Sequence, residues 1–247
     1  MSTYSLLQLT LDQTISREDM ENAAAVLETL ARPDIAKLHR ELFGIVASGL
    51  QWEEANAFHL ELEKYSYPAE VVADEEVPIL DAGYRVQRIT MDDESLAFTD
   101  AMGRQKERRL SDLLFLAGGF LQETEEQIEK VVRLEVKGDT RGTYPAPTLK
   151  KLSKMVVVPK FRLDFFFATE PYRVHVLVIP ENVAFFQDLP LRLRHPAAMV
   201  AARQELSLLL PPERLTCGML QEDTHAFYPN LASYEEEIRW RFHRLLK

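Results

Sequence analysis

Over Phe161–Ile179, FRLDFFFATEPYRVHVLVI, apolar residues recur with a period of two on both sides of one turn, the pattern of a β-hairpin. Ala168-Thr169-Glu170-Pro171 supplies the turn. With Phe167 opposite Tyr172, the residues Phe161, Leu163, Phe165 and Phe167 share an apolar face with Val178, Val176, Val174 and Tyr172. The other face carries Arg162, Asp164 and Phe166 across from Leu177, His175 and Arg173. Such a mixed surface is solvated, internally paired or part of a site.

Upstream, Tyr4–Leu11 reads as a strand. Ser16 opens a helix as a capping residue, with Met20, Ala23, Ala24, Leu27, Leu30 and Ala31 as its stripe and Pro33 as its stop. Leu42–Leu50 reads as a second strand, Trp52–Tyr65 as a helix burying Ala55, Phe58, Leu62 and Tyr65, and Ala69–Ala73 as a third strand. The order β-α-β-α-β suggests a small α/β sandwich of ferredoxin-like type over residues 1–80, with right-handed crossovers.

The acidic, turn-rich stretch from Asp74 to Gly83 marks a boundary, and residues 81–247 form the second expected unit. Tyr84–Met91 and Ser95–Thr99 read as a hairpin around Asp92-Asp93-Glu94, and Gly103–Arg109 as a basic loop or edge. Leu113–Leu121 reads equally as a buried strand or a short helix. Residues 122–154 hold one possible strand, Val131–Val136, and no organising apolar stripe, so they read as an insertion. Ala197–Leu210 reads as a helix between Pro196 and Pro211. Residues from Ser233 onward predict a closing amphipathic helix with a Ser233/Glu236 capping box, a stripe of Tyr234, Ile238, Phe242, Leu245 and Leu246, and the pairs Glu235/Arg239 and Glu237/Arg241. In element order this second, mostly antiparallel α+β unit resembles pleckstrin-homology-like domains, in which a curved sheet is plugged by a C-terminal helix.

Composition adds constraints. An apolar fraction of 46% with 28% charged residues is that of a globular chain. The single cysteine, Cys217, excludes an intrachain disulfide and a cysteine-based zinc cage. No segment reads as a signal peptide, and the longest apolar run falls far short of the ~20 residues that span a bilayer, so a cytoplasmic protein is expected. A net charge of −10 argues against general affinity for nucleic acid or anionic membrane. The charge is uneven: residues 1–81 carry 16 Asp/Glu against 5 Lys/Arg, whereas 137–162 carry 7 Lys/Arg against Asp139 alone.

Candidate chemistry is sparse. No phosphate-binding glycine loop, nucleophile elbow or HExxH motif is present, so no cofactor or metal is called for. Helical spacing puts only His59 and Glu63 on one side of the second helix, two ligands where a metal site needs more. Asp164 and His175 face each other across the hairpin and could form an acid–base pair, with Arg162 or Arg173 as an anion clamp. Lys150, Lys151, Lys154 and Lys160 form a basic set, and Trp240 lies off the stripe of the last helix as a candidate partner contact. The leading expectation is a non-enzymatic protein–protein interaction, scaffolding or regulatory module. The alternative is an enzyme or small-anion binder using the polar face of the hairpin.

Overall fold

The structure is a computed structural model that describes residues 2–27, 42–139, 142–170, 172–177, 203–222 and 227–246. Among these, strands β1 (Tyr4–Gln8), β2 (Ile45–Leu50) and β3 (Ala69–Ala73) form an antiparallel sheet in the order β2-β1-β3. Both neighbours run opposite to β1, so the parallel, right-handed crossovers expected for this unit are not how its described strands are joined. β1 is central and buried on both faces. Leu6 faces the helices Arg17–Ala23 and Trp52–Lys64, packing with Met20, Ala55, Phe58 and Leu62, while Leu7 joins Ile45, Val72, Val77 and Trp240 on the other side. Ser16 caps the first helix by accepting the Asp19 N–H at 3.0 Å.

β4 (Tyr84–Val86) and β5 (Arg88–Met91) belong to different sheets, which accounts for the broken alternation of that segment. β5, β6 (Ser95–Thr99) and β7 (Gln105–Arg109) make an antiparallel meander whose basic last strand is an edge. β8 (Leu113–Asp139), β9 (Gly142–Phe167) and β10 (Arg173–Leu177) complete a four-stranded sheet, β4-β10-β9-β8, in which β4 and β10 alone pair in parallel. The described residues are thus mixed α+β with several antiparallel sheets, none of them closed into a barrel. Leu113–Leu121 is strand, and the expected insertion at 122–154 is instead the continuous outer part of β8 and β9, paired from Gln122 opposite Pro159 to Asp139 opposite Gly142. At the usual strand rise this ribbon is roughly 60 Å long.

The apolar face of the hairpin (Phe161, Leu163, Phe165, Phe167, Val174, Val176) packs on Ile89, Leu96 and Phe98 of the meander. The opposite face, with Phe115, Ala117 and Phe166, is covered by Tyr228, Tyr234 and Ile238. The covering helix spans Leu231–Leu246. Asn230, not Ser233, caps it, its side-chain oxygen accepting the Ser233 N–H at 2.9 Å, and Leu245 and Leu246 are exposed rather than part of the buried stripe. Leu30, Ala31 and Pro33 of the first expected helix, Pro171 of the turn, Val178 and Ile179 of the hairpin, and 197–202 of the expected Ala197–Leu210 helix lie outside the described residues; 203–207 are helical.

Candidate functional site

The hairpin register places Asp164 directly opposite His175, with Arg173 opposite Phe166. Asp164 is completely buried. Its carboxylate accepts Nε of Arg162 at 2.9 Å, Nε of Arg173 at 2.7 Å and the hydroxyl of Tyr234 at 2.8 Å. Arg173 also donates to the Asp81 carbonyl at 2.9 Å and to Glu235 at 2.8 Å. Burial alone would raise the Asp164 carboxyl, but the two guanidinium groups outweigh it and hold the group below the ordinary carboxylate value. Burial, with the negative charge of Asp164 next in weight, pushes the Tyr234 phenol well above its usual range.

His175 stands beside this network without entering it. It is half-buried, its Nδ1 has no hydrogen-bond partner among the described residues, and burial lowers its pKa below the ordinary imidazole value. The backbone at Gly83 passes so close that a Cβ there would lie 2.9 Å from Nδ1, at a φ of +77° that disfavours any side chain. Asp164 and His175 are therefore cross-strand neighbours, but the charge partner of the carboxylate is a pair of arginines. That arrangement fastens the Leu231–Leu246 helix to the sheet through Tyr234 and Glu235.

A second buried network lies one turn further along the same helix. Glu237, fully buried, accepts the Cys217 N–H at 2.6 Å, the Tyr228 hydroxyl at 2.6 Å and Nε of Arg241 at 2.9 Å. Burial, then the charge of Glu237, pushes the Cys217 thiol up to about 11, so it is not poised as a nucleophile at neutral pH. The neighbouring turn Cys217–Leu220 reaches the sheet because Gly118 and Gly119 leave room: a Cβ at Gly118 would run into the Met219 sulfur, and one at Gly119 would lie 3.2 Å from the Gly218 Cα and 2.5 Å from the Tyr228 ring.

Trp240 is 8% exposed. Its indole N–H donates to the Gln8 carbonyl at 2.7 Å, and a Cβ at Gly44 would fall 2.3 Å from its Cγ. The surface expected for a partner is occupied by the chain's own first sheet. Lys150, Lys151, Lys154 and Lys160 occupy positions of β9 spread over roughly 30 Å of strand. His59 and Glu63 pair at 3.5 Å, and among the described residues no cluster of three His, Cys, Asp or Glu could hold a metal ion.

Three open clefts adjoin these elements. One of about 460 Å³, lined by Asp81, Gly83, Tyr84, Lys106, Glu170, Tyr172 and Arg173, reaches the hairpin; Arg173 is its only member of the polar set. Another of about 1000 Å³ runs along Asp92–Ser95, Glu107 and Arg109–Ser111, and a third of about 370 Å³ lies on the far side of Tyr84. Sequence pattern placed Tyr234 only in the apolar stripe of the closing helix and Glu235 only in a pair with Arg239, and it gave Tyr228 no role in a site. Glu237 was legible only as a surface partner of Arg241, because helical spacing cannot show that both faces of a helix are covered. Comparison with protein-family models, with curated proteins and with solved structures returns no match.

Proposed function

We propose that this chain is a non-catalytic protein–protein interaction module of scaffolding or regulatory kind, working through the outer half of β8 and β9. The observation that supports it is the apolar exposure on that ribbon: Ile128, Met155 and Val157 are 58%, 62% and 59% exposed, in the outer half, where β8 and β9 pair with each other and with no other described strand. A two-stranded ribbon is at best marginally stable alone, and exposed apolar side chains on such an arm favour a protein that covers them.

The remaining readings belong to the same proposal. A 1–80 unit of ferredoxin-like type and an 81–247 unit of pleckstrin-homology-like type are analogies of element order. A cytoplasmic setting fits the single Cys217, and among the described residues no helix is long and apolar enough to cross a membrane. Nucleic acid is a poor fit for a chain of net charge −10, and the basic set of β9 lies opposite Val131, Lys130, Gln127 and Leu121 with no aromatic side chain among these partners. The enzyme or anion-binder alternative, built on Asp164, His175, Arg162 and Arg173, draws no support from the geometry: Asp164 is saturated by internal donors and Arg173 by internal acceptors.

The test is affinity capture from the source cytoplasm with the full chain and with a chain in which residues 124–157 are replaced by a short glycine turn. Partners should be retained by the first and lost by the second. Equal capture by both chains, or turnover of a small substrate abolished by Asp164→Asn with the fold intact, would refute the reading.

A further inference from the structure

The two long edges of the ribbon differ in their backbone. In an antiparallel strand alternate residues turn both N–H and C=O to the same side. Gln122 donates its N–H outward to the Tyr228 carbonyl at 3.0 Å, and the Phe120 carbonyl accepts outward from Phe227 and Tyr228, so even positions of β8 face its free edge. Phe167 donates its N–H to the Tyr172 carbonyl at 2.8 Å, so odd positions of β9 face the β10 side, which beyond Arg162 bears no described strand. All three prolines of β9, at 145, 147 and 159, fall on odd positions. Each removes an outward N–H without touching the β8/β9 ladder, a recognised way to guard an edge.

Those prolines leave one open window on β9, from 149 to 157. β8 has no proline at all, and past Gln122 its outer edge bears no described strand. The open stretches are also opposite in charge. Residues 122–130 of β8 hold Glu123, Glu125, Glu126 and Glu129 against Lys130, a balance of −3; residues 149–157 of β9 hold Lys150, Lys151 and Lys154 with no acid, a balance of +3.

We infer that the occupant of the ribbon is a second copy of this chain, the acidic open edge of β8 in one copy adding to the basic window of β9 in the next. This rests on the interaction reading above and names its partner. Arms lying side by side and pointing the same way set β8 antiparallel to the neighbour's β9. Outward even positions then meet outward odd positions, as an antiparallel ladder requires. Because the two edges are different surfaces, the contact is heterologous and generates a ring where the rotation closes and a filament where it does not. The prolines at 147 and 159 restrict the ladder to one stretch and so limit slippage.

Light scattering of the full chain across dilution and salt series tests this. The wild type should run at multiples of the 28.4 kDa monomer mass, returning to monomer as salt rises. Glu126→Pro, which removes an outward N–H of β8 as β9's own prolines do, should run at monomer mass. Reversing Lys150→Glu, Lys151→Glu and Lys154→Glu in one chain, and Glu123→Lys, Glu125→Lys, Glu126→Lys and Glu129→Lys in another, should give two monomers that assemble when mixed. A wild type that stays at 28.4 kDa throughout, an assembly indifferent to Glu126→Pro, or a mixture that stays monomeric would each overturn the inference. A monomeric wild type that still captures another protein through residues 124–157 would overturn it while leaving the interaction reading in place.

Discussion

The inner and outer halves of β8 and β9 are one ladder with one register, yet they live in different surroundings. The inner half, through Phe115, Phe120, Phe161 and Phe165, is buried on both faces between the meander and the Leu231–Leu246 helix. The outer half presents Thr124, Glu126, Ile128, Ser153, Met155 and Val157 to solvent. Backbone pairing alone therefore does not decide where the fold's stability resides. It resides where the pleated surface is covered, which in this protein ends near Leu121 and Phe161.

Five experiments press on that contrast. Asp164→Ala should be the most damaging, since it leaves Arg162 and Arg173 without their shared counter-charge; removing one member of a buried ion pair costs about 3–5 kcal/mol, read as a lowered urea midpoint. Phe165→Ala opens a cavity in the inner half and should cost a similar or slightly smaller amount, about 3–5 kcal/mol.

Acid should act on the inner half in two stages. His175 has a folded pKa below its ordinary 6.5, so its contribution is full above that value and declines as pH falls beneath it. Asp164 has a folded pKa below its ordinary 3.8, so its contribution is full above 3.8 and is lost as pH falls through the lower folded value. Thermal melts from neutral pH downward should therefore show Tm falling first below 6.5, and His175→Gln should flatten that first decline only.

Replacing residues 124–157 by a short glycine turn should leave Tm and the two-stage acid response almost unchanged, because the residues of that span whose side chains are described (124, 126, 128 and 153–157) stand outside the core clusters. A large loss of Tm would show the outer half to be part of the folding unit. Smallest of all, Met155→Thr should shift stability by no more than about 0.5 kcal/mol while weakening association, which separates the two roles in one variant.

The inner hairpin was legible because its alternation is a direct consequence of burial: Asp164 falls opposite His175, and the apolar face is a core face. The outer half was not. Among the described residues it has no covering layer to impose alternation, and its prolines, which in a central strand would argue against strand, sit on an edge where they remove only outward N–H groups. The hairpin register placed Asp164 opposite His175, but sequence could not show that Arg162, two residues away on the same strand, and Arg173 would reach the carboxylate first. Trp240 does lie off the stripe as its spacing requires, but that side of the helix is covered, which the pattern could not show for a related reason. A single helical stripe presumes one buried face, and this helix is clamped between two sheets, with Tyr234 and Ile238 on one and Trp240 on the other.

The bond from Trp240 to the Gln8 carbonyl spans 232 positions of chain. A nascent polypeptide emerging from the ribosome can assemble β1, β2 and β3 early, but the Leu7 side of that sheet stays uncovered until Trp240 has been made. For most of its synthesis the first sheet carries a bare apolar face. Closing it is a long-range event that sets a late, slow step in maturation and a period in which a chaperone has something to hold.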